Sequence, residues 1–213
     1  YNMKLQICGA AQTVTWSCHL LTLENNFKVL LDCGLYQGHE DELEDFNSQW
    51  FFNPSEIDVL ILSHAHIDHC GRIPKLVKDG FRGKIYCTSA TRDLSAIMLL
   101  DSAKIQESDA EYEARKFKKP QKPLYTQIDA KNCLKHFVCT EYDNWFAVNE
   151  SIEVLFSDAG HILGSATVAL KIKENGKENL LGFSGDIGRY NRPILNDPAP
   201  MPALDYFICE STY

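Results

Sequence analysis

Three histidines and one aspartate fall within six positions of this chain, in the run Ser63-His64-Ala65-His66-Ile67-Asp68-His69-Cys70-Gly71. The apolar run before them, residues 57–62, is typical of a buried strand, and residues 72–79 are typical of a helix with proline in its first turn. The sequence therefore places the cluster on a loop at the carboxyl end of a strand, where α/β architectures hold their chemistry. Imidazole nitrogens and carboxylate oxygens at this spacing suit zinc and similar divalent metals.

Three further polar residues follow predicted strands elsewhere in the chain. Asp32 precedes a glycine turn and is either a turn former or a carboxylate that supports a metal ligand. His161 lies in a loop of glycines and small residues, and Asp186 is flanked by glycines. Hydrolysis at two metals about 3.5–4 Å apart requires imidazoles and carboxylates from separate loops. We therefore expect these residues and the 64–69 cluster to meet at one site.

Two predicted hairpins, further strands and intervening helices predict an α/β (α+β) fold, an αββα sandwich of two mixed sheets flanked by helices. Asn175-Gly176 marks the tip of the second hairpin. Helices are predicted at 72–79, 89–118 and 129–134, and the apolar positions of the longest are Leu94, Ile97, Met98 and Ile105. Strands are predicted at 4–8, 18–23, 27–31, 57–62, 84–87, 137–140, 152–156, 166–173, 179–183 and 204–209.

Composition narrows the class of protein. The chain has 213 residues, 45% of them apolar, which is enough for one domain with a core. No apolar run approaches the roughly 20 residues of a membrane-spanning helix, so no membrane partner is expected. The eight cysteines predict buried, reduced thiols in a cytoplasmic protein, and Cys70 is a structural thiol or a thiolate ligand. The formal net charge of −8 disfavours contact with a nucleic-acid backbone, although two divalent ions would offset about half of it.

The pattern His-x-His-x-Asp-His resembles the signature of the metallo-β-lactamase superfamily of binuclear metallohydrolases. The resemblance implies two divalent metal ions, most often zinc, and a hydroxide bridging them as the nucleophile. Asp32 would not bind a metal itself but would orient a metal ligand. The metal ligands implied by the resemblance are His64, His66 and His161 for the first ion, Asp68 and His69 for the second, and Asp186 as a bridge between them.

The run Asp-Tyr-Phe-Ile-Cys-Glu-Ser-Thr-Tyr, residues 205–213, resembles the first motif of the β-CASP branch of that superfamily. Gly-His-Ile-Leu-Gly-Ser-Ala and Ser-Gly-Asp-Ile-Gly-Arg are also similar to that branch, which includes the endonuclease subunit of the pre-mRNA cleavage and polyadenylation specificity factor and its prokaryotic counterparts. The resemblance implies hydrolysis of phosphodiester bonds in single-stranded RNA, with Glu210 orienting a general-acid histidine.

The same resemblance has a consequence for domain organisation. It implies that residues 1–213 form an incomplete metallo-β-lactamase domain. The β-CASP domain, the general-acid histidine and the last ligand of the second metal would follow Tyr213. A chain that ends there is expected to bind the first metal better than the second, and to cleave RNA weakly or not at all.

Three alternatives stay open at this point. Other branches of the superfamily hydrolyse small esters or thioesters, related nucleases cleave DNA, and some β-CASP relatives have lost their ligands and act as scaffolds. A homodimer or a subunit of a processing complex is compatible with each of these functions.

A few residues fall outside the motif. Trp16 stands where relatives usually carry a small residue, often glycine. His19, His39 and His136 have no metal-binding context and are predicted to be structural or surface residues. The basic cluster at 116–122 is a solvated helix end or a contact for a nucleic-acid backbone.

Overall fold

Two packed β-sheets form the centre of the fold. A computed structural model describes residues 3–38 and 46–212 of the chain. The first sheet has six strands, ordered as in the chain: β1 (Lys4–Ile7), β2 (His19–Thr22), β3 (Lys28–Leu31), β4 (Val59–Ile61), β5 (Lys84–Thr88) and β6 (Phe137–Thr140). The second sheet has five, in the order β11-β10-β9-β8-β7: β7 (Phe146–Ala147), β8 (Ile152–Asp158), β9 (Ala166–Glu174), β10 (Lys177–Phe183) and β11 (Tyr206–Ile208).

Both sheets contain parallel and antiparallel neighbours. In the first, β1, β2 and β3 pair antiparallel, whereas β3 to β6 pair parallel. In the second, β10 and β11 pair parallel and the other pairs are antiparallel. The predicted turn at Asn175-Gly176 joins β9 to β10, and both residues have the positive φ, 50° and 71°, that such a tight hairpin requires.

Side chains of β3 illustrate how the layers are held together. Val29 and Leu31 pack into the core between the two sheets, against residues such as Phe156 and Val168 of the second sheet. Leu30 points the other way and joins the core beneath the helices. Because successive side chains of a strand point to opposite faces, one apolar strand serves both layers. The predicted α+β fold with two mixed sheets and flanking helices is confirmed.

The helices that pack on the outer face of the first sheet follow the predicted positions closely. Short 3-10 helices at Pro54–Glu56 and Leu134–His136 accompany them. The loop that carries the cluster of three histidines and one aspartate contains one helical turn that the sequence did not predict. The α-helices are α1 (Ile67–Cys70), α2 (Ile73–Lys78), α3 (Ser89–Phe117) and α4 (Gln127–Cys133).

Three of the four apolar positions noted in the sequence of α3 are exposed. Ile97 is 68% exposed, Met98 38% and Ile105 52%. Residues spaced by four lie on one side of a helix, and the buried side of α3 is formed largely by such residues. Apart from one leucine their side chains are small or polar, so the helix can lie close to the elements beneath it. The buried positions are Thr91, Ser95, Leu99, Ala103 and Ala110.

The cysteines are all free thiols, as predicted, but two of them are not buried. Cys139 and Cys209 are exposed, since Cys139 lies on the edge strand β6 and Cys209 directly follows the edge strand β11. Among the described residues, no helix is both long and apolar enough to cross a membrane.

Candidate metal centre

Three histidines and one aspartate converge at one end of the sandwich. His64 and His66 follow β4, His161 follows β8, and Asp186 follows β10. One ligand atom from each of the four lies within 4.8 Å of every other. The Nδ1 atom of His66 is 3.0 Å from Nε2 of His64 and 3.1 Å from Nε2 of His161. Ligands about 2.0 Å from one tetrahedral ion would be roughly 3.3 Å apart, so these atoms fit a single metal.

Asp186 lies between this group and a second one. Its Oδ2 atom is 3.4 Å from Nε2 of His161 and 3.7 Å from Nε2 of His64. Its Oδ1 atom is 3.2 Å from Nε2 of His69, which is itself 3.8 Å from Oδ2 of Asp68. Asp68 and His69 thus lie beside the four-residue group and outside it. One carboxylate faces both sets of predicted ligands.

Asp32 supports the site from beneath. It is fully buried and has a φ of 57°, which lets the chain turn sharply at the end of β3. Its carboxylate accepts hydrogen bonds from the backbone N–H of Ser63 at 2.8 Å and from the hydroxyls of Ser63 and Ser17 at 2.8 and 3.0 Å. It also lies 2.6 Å from Nδ1 of His69. A carboxylate held in this way fixes the orientation of the imidazole and leaves Nε2 facing the site.

Charge and burial set the protonation of the imidazoles. Burial lowers the pKa of His64 well below its usual range, and the neighbouring His69 and His66 lower it further. Burial also lowers the pKa of His161. Burial alone would raise the pKa of Asp186, but its hydrogen bond and charge interaction with His69 outweigh that and lower it. His64 and His161 are therefore neutral and Asp186 ionised near pH 7, which are the forms that bind metals.

His69 behaves differently in the metal-free protein. Burial would lower its pKa, but Asp32 and Asp186 outweigh it and raise the pKa from 6.5 to about 10. A group whose pKa is raised on folding stabilises the fold fully below its unfolded pKa and loses that effect as the pH rises through the folded pKa. We expect the metal-free protein to lose free energy of unfolding between pH 6.5 and about 10, as measured by urea titration at several pH values. Asp32→Asn should flatten this dependence, and an unchanged slope would contradict the assignment.

Three consecutive carbonyls of α1 accept hydrogen bonds from backbone N–H groups of two other segments. The N–H of Leu35 bonds the carbonyl of Ile67 at 3.0 Å, that of Ser17 bonds Asp68 at 2.8 Å, and that of Cys33 bonds His69 at 2.8 Å. A side chain at Gly34 would place its Cβ 1.6 Å from the Asp68 carbonyl oxygen, so only glycine allows this approach. The position of Asp68 and His69 is therefore fixed through their backbone.

Arg72 ties these segments together. It is 1% exposed, and its side chain donates to the carbonyls of Gly34 at 2.8 Å and of Phe46 and Gln49 at 3.2 Å each. Its guanidinium lies 5.2 Å from the ring of Trp16 and 4.5 Å from that of Trp50. A buried cation is thus satisfied by carbonyl dipoles and aromatic faces.

Trp16 occupies a backbone position that favours glycine. Its φ is 77°, yet the indole is only 6% exposed and packs on the rings of Tyr36, Phe46 and Phe51 at 5.0–5.9 Å. The left-handed conformation explains why a small residue suits this position, and the aromatic cluster explains how tryptophan is accommodated.

Replacing Trp16 with glycine tests this balance. Loss of a buried indole costs about 3–5 kcal/mol, and relief of the left-handed conformation returns about 1–2 kcal/mol. We expect the free energy of unfolding to fall by about 2 kcal/mol, measured by urea titration. Trp16→Phe, which keeps the backbone strain and most of the ring packing, should lose less. A glycine variant as stable as the wild type would show that the cluster contributes little.

Glu210 lies in a polar cleft of about 300 Å³ that also contains His69 and Asp186. Its Oε1 atom accepts the backbone N–H of Ile187 at 2.6 Å, and its Oε2 atom accepts the hydroxyl of Thr212 at 3.1 Å. All predicted site residues are therefore brought to one region. His39, which was predicted to be a structural or surface residue, and Tyr213, the last residue of the 205–213 motif, lie outside the described residues.

Sequence reasoning missed three residues of the site. Ser17 and Ser63 hold Asp32, and Ser63 also lies 3.0 Å from Nδ1 of His64. His19, which was predicted to be structural or on the surface, is buried and lines the same cleft, and its Nδ1 has no hydrogen-bond partner among the described residues. Only the position of Ser63 directly before the cluster offered a signal, since the partners of the others are distant in the chain.

A sandwich of two mixed sheets that brings three imidazoles and a carboxylate together is the architecture of a metallohydrolase. Residues 17–210 match the Metallo-beta-lactamase superfamily, and the chain belongs to it. It is similar to two solved structures, each at 16% identity: a metallo-β-lactamase from Cronobacter sakazakii and YhfI, a protein with the metallo-β-lactamase fold, from Bacillus subtilis. The TM-scores are 0.53 and 0.50, over 91% and 86% of this chain and 64% and 62% of those chains. These likenesses concern the fold alone.

Curated relatives are more similar in sequence. The chain is 36% identical to a ribonuclease of Thermus thermophilus over 99% of its own length and 44% of that protein. It is 34% identical to a transcription termination factor of Methanocaldococcus jannaschii over its full length and 32% of that protein. The chain thus spans less than half the length of either relative.

Proposed function

We propose that this protein is a metal-dependent hydrolase of the β-CASP branch that cleaves phosphodiester bonds in single-stranded RNA. The observation that carries the proposal is the position of Asp186, whose two oxygens face His64 and His161 on one side and His69 on the other. A carboxylate shared in this way suits a pair of metals acting on one phosphate. The names of the two relatives, a ribonuclease and a transcription termination factor, support RNA as the substrate.

The donor set fits divalent metals, and zinc above all, because it combines imidazole nitrogens with carboxylate oxygens. Ions bound here would supply Lewis acidity that activates a water molecule and polarises a phosphoryl oxygen. In this proposal the first ion is held by three imidazoles and the second by a carboxylate and an imidazole. The residues are His64, His66 and His161 for the first ion, Asp68 and His69 for the second, and Asp186 for both.

The remaining residues position these groups. Asp32 keeps Nε2 of His69 turned toward the site by holding its Nδ1, and Ser63 does the same for His64. Glu210 would orient a general acid that protonates the leaving oxygen. In a chain as long as the relatives, we propose that this acid and a further ligand for the second ion come from outside the 213 residues.

A small-ester or thioester hydrolase is the second candidate. The observation in its favour is the polar cleft of about 300 Å³ beside His69 and Asp186, which is large enough for a small ester. A DNA nuclease would use the same metal centre, and contacts to the 2′-hydroxyl would separate the two nucleic acids. A non-catalytic scaffold would have no need for the convergent ligands of the first group.

The deciding experiment uses the full-length protein with end-labelled single-stranded RNA and DNA of one sequence. We expect metal-dependent cleavage of RNA only, abolished by a chelator and by Asp68→Ala. The pattern of fragments distinguishes endonuclease from exonuclease action. Failure to cut either strand with two metals bound, together with hydrolysis of a small thioester, would favour the second candidate. Cleavage of DNA alone would replace RNA as the substrate.

A further inference from the structure

The segment that follows Asp186, residues 187–198, is anchored to the segment that leads into His161; we call it the rim loop. The N–H of Gly188 bonds the carbonyl of Ala159 at 2.8 Å, and the side chain of Asn196 bonds Asp158 at 2.9 Å. A Cβ on Gly188 would lie 1.8 Å from the carbonyl oxygen of Gly160, so the two backbones are in direct contact. The rim loop is therefore held at the border of the metal centre at both ends.

The side chains in the middle of the rim loop point into solvent. Tyr190 is 67% exposed, and Arg189 and Arg192 are exposed on either side of it. In the part of the chain that the structure describes, neither arginine takes part in an ion pair. The rim loop contains one acidic residue, Asp197, and its carboxylate accepts a hydrogen bond from the backbone N–H of Asn191 at 2.6 Å. Two cations and an aromatic ring are thus free to meet a ligand.

The overall charge gives these cations particular weight. The chain carries a formal net charge of −8, and the site itself contains the carboxylates of Asp68, Asp186 and Glu210. A strand of phosphates is repelled by such a surface unless local cations offset the field where it approaches. Arg189 and Arg192 lie three and six residues after the carboxylate between the two ligand groups, so they supply positive charge at the border of the site.

We propose that the rim loop is the surface that holds a single RNA strand beside the metal centre. Arg189 and Arg192 bind phosphates, for which the planar guanidinium suits two oxygens at once, and Tyr190 stacks on an unpaired base. Stacking tolerates any base, so this surface selects a single strand without selecting its sequence. The inference rests on the proposed function, since it names the contact surface of the same site.

The test measures binding in the Asp186→Asn background, in which cleavage is expected to be slow enough for the strand to stay intact during the measurement. Fluorescence anisotropy with a labelled single-stranded RNA is recorded over a series of salt concentrations. Each phosphate contact contributes about 0.7 to the slope of log affinity against log salt for single strands, so Arg189→Gln with Arg192→Gln should reduce the slope by about 1.4. Tyr190→Leu should weaken binding about tenfold and leave the slope unchanged, because stacking carries no charge.

A matched pair of cations provides the control. Lys118 and Lys119 follow the 29-residue helix α3, whose first residues lie beside the His161 loop through the bonds of Thr88 and Thr91 to Gly164. At 1.5 Å per residue the pair is roughly 40 Å from that end. The cluster at 116–122 lies at the far end of α3, so we expect it to be a solvated helix end and not a contact for the RNA. Lys118→Gln with Lys119→Gln should therefore leave both affinity and slope unchanged.

Several outcomes overturn the proposal. Equal losses in the rim and control pairs would indicate general electrostatics, and unchanged binding in the rim variants would exclude the surface. If the rim variants lowered the melting temperature of the full-length protein and left its RNA affinity unchanged, the loop would pack against another part of the protein. The side chain of Ile194, which is 93% exposed, could make such a contact. If the wild-type protein cleaves RNA while the rim variants bind it normally, only the rim proposal fails. If the wild-type protein neither binds nor cleaves RNA, both proposals fail.

Discussion

Replacing Asp186 with asparagine is expected to lower RNA hydrolysis by about a thousandfold, since Lewis-acid stabilisation worth several kcal/mol depends on this group and each 1.36 kcal/mol is tenfold in rate. The amide keeps the shape of the side chain but removes the negative charge that faces both ligand groups. Oδ1 lies 3.2 Å from His69 and Oδ2 lies 3.4 Å from His161, so both of the proposed metal sites would lose a ligand at once. Single-turnover cleavage of labelled RNA by the full-length protein gives the rate, and metal content by mass spectrometry gives the stoichiometry.

Asp93→Asn is the matched control for this change. Asp93 has a side chain that is 69% exposed and pairs with Arg92 on the surface of α3, so the same loss of charge there should leave the rate and the metal content unchanged. If Asp186→Asn kept both metals and cleaved within threefold of the wild type, its carboxylate would not be a shared ligand.

Replacing Arg72 with methionine is expected to lower the free energy of unfolding by about 4 kcal/mol, because one buried and two partly buried carbonyls lose their donor, and a fully buried carbonyl without a donor costs about 1–3 kcal/mol. The carbonyls concerned belong to Gly34, Phe46 and Gln49. For a chain of this length, such a loss lowers the melting temperature by about 10 °C. Calorimetry and urea titration of the metal-free protein measure both quantities.

Arg72→Lys separates the charge from the hydrogen bonds. Lysine keeps the cation between Trp16 and Trp50 but cannot reach three carbonyls in one plane, so it should recover only part of the stability. A single hydrogen bond contributes about 1 kcal/mol to stability. If the methionine variant lost less free energy of unfolding than that, water would have replaced the guanidinium as the donor to these carbonyls.

Local pattern was sufficient for much of the fold. Strands such as β3 and β9 and the hairpin at Asn175-Gly176 follow from short apolar runs and from turn chemistry within a few residues. The sequence located α3, but its apolar positions did not indicate which face is buried. Its apolar residues, Ile97 among them, are exposed, because the surface that α3 packs on requires small side chains such as Ala103. That surface is formed by residues distant in the chain.

The sequence by itself determined which residues can bind metal and in what order they occur, because a cluster such as His64 to His69 is a local pattern of ligand chemistry. Only the tertiary structure decided how they meet. His66 and His161 are 95 residues apart in the chain, yet their ring nitrogens are 3.1 Å apart. Asp186 lies between the two groups because strands of both sheets end at the same side of the sandwich. Residues that act through distant partners, such as Arg72, Trp16 and Ser17, carry no local signal, since their contacts exist only after the two sheets have packed.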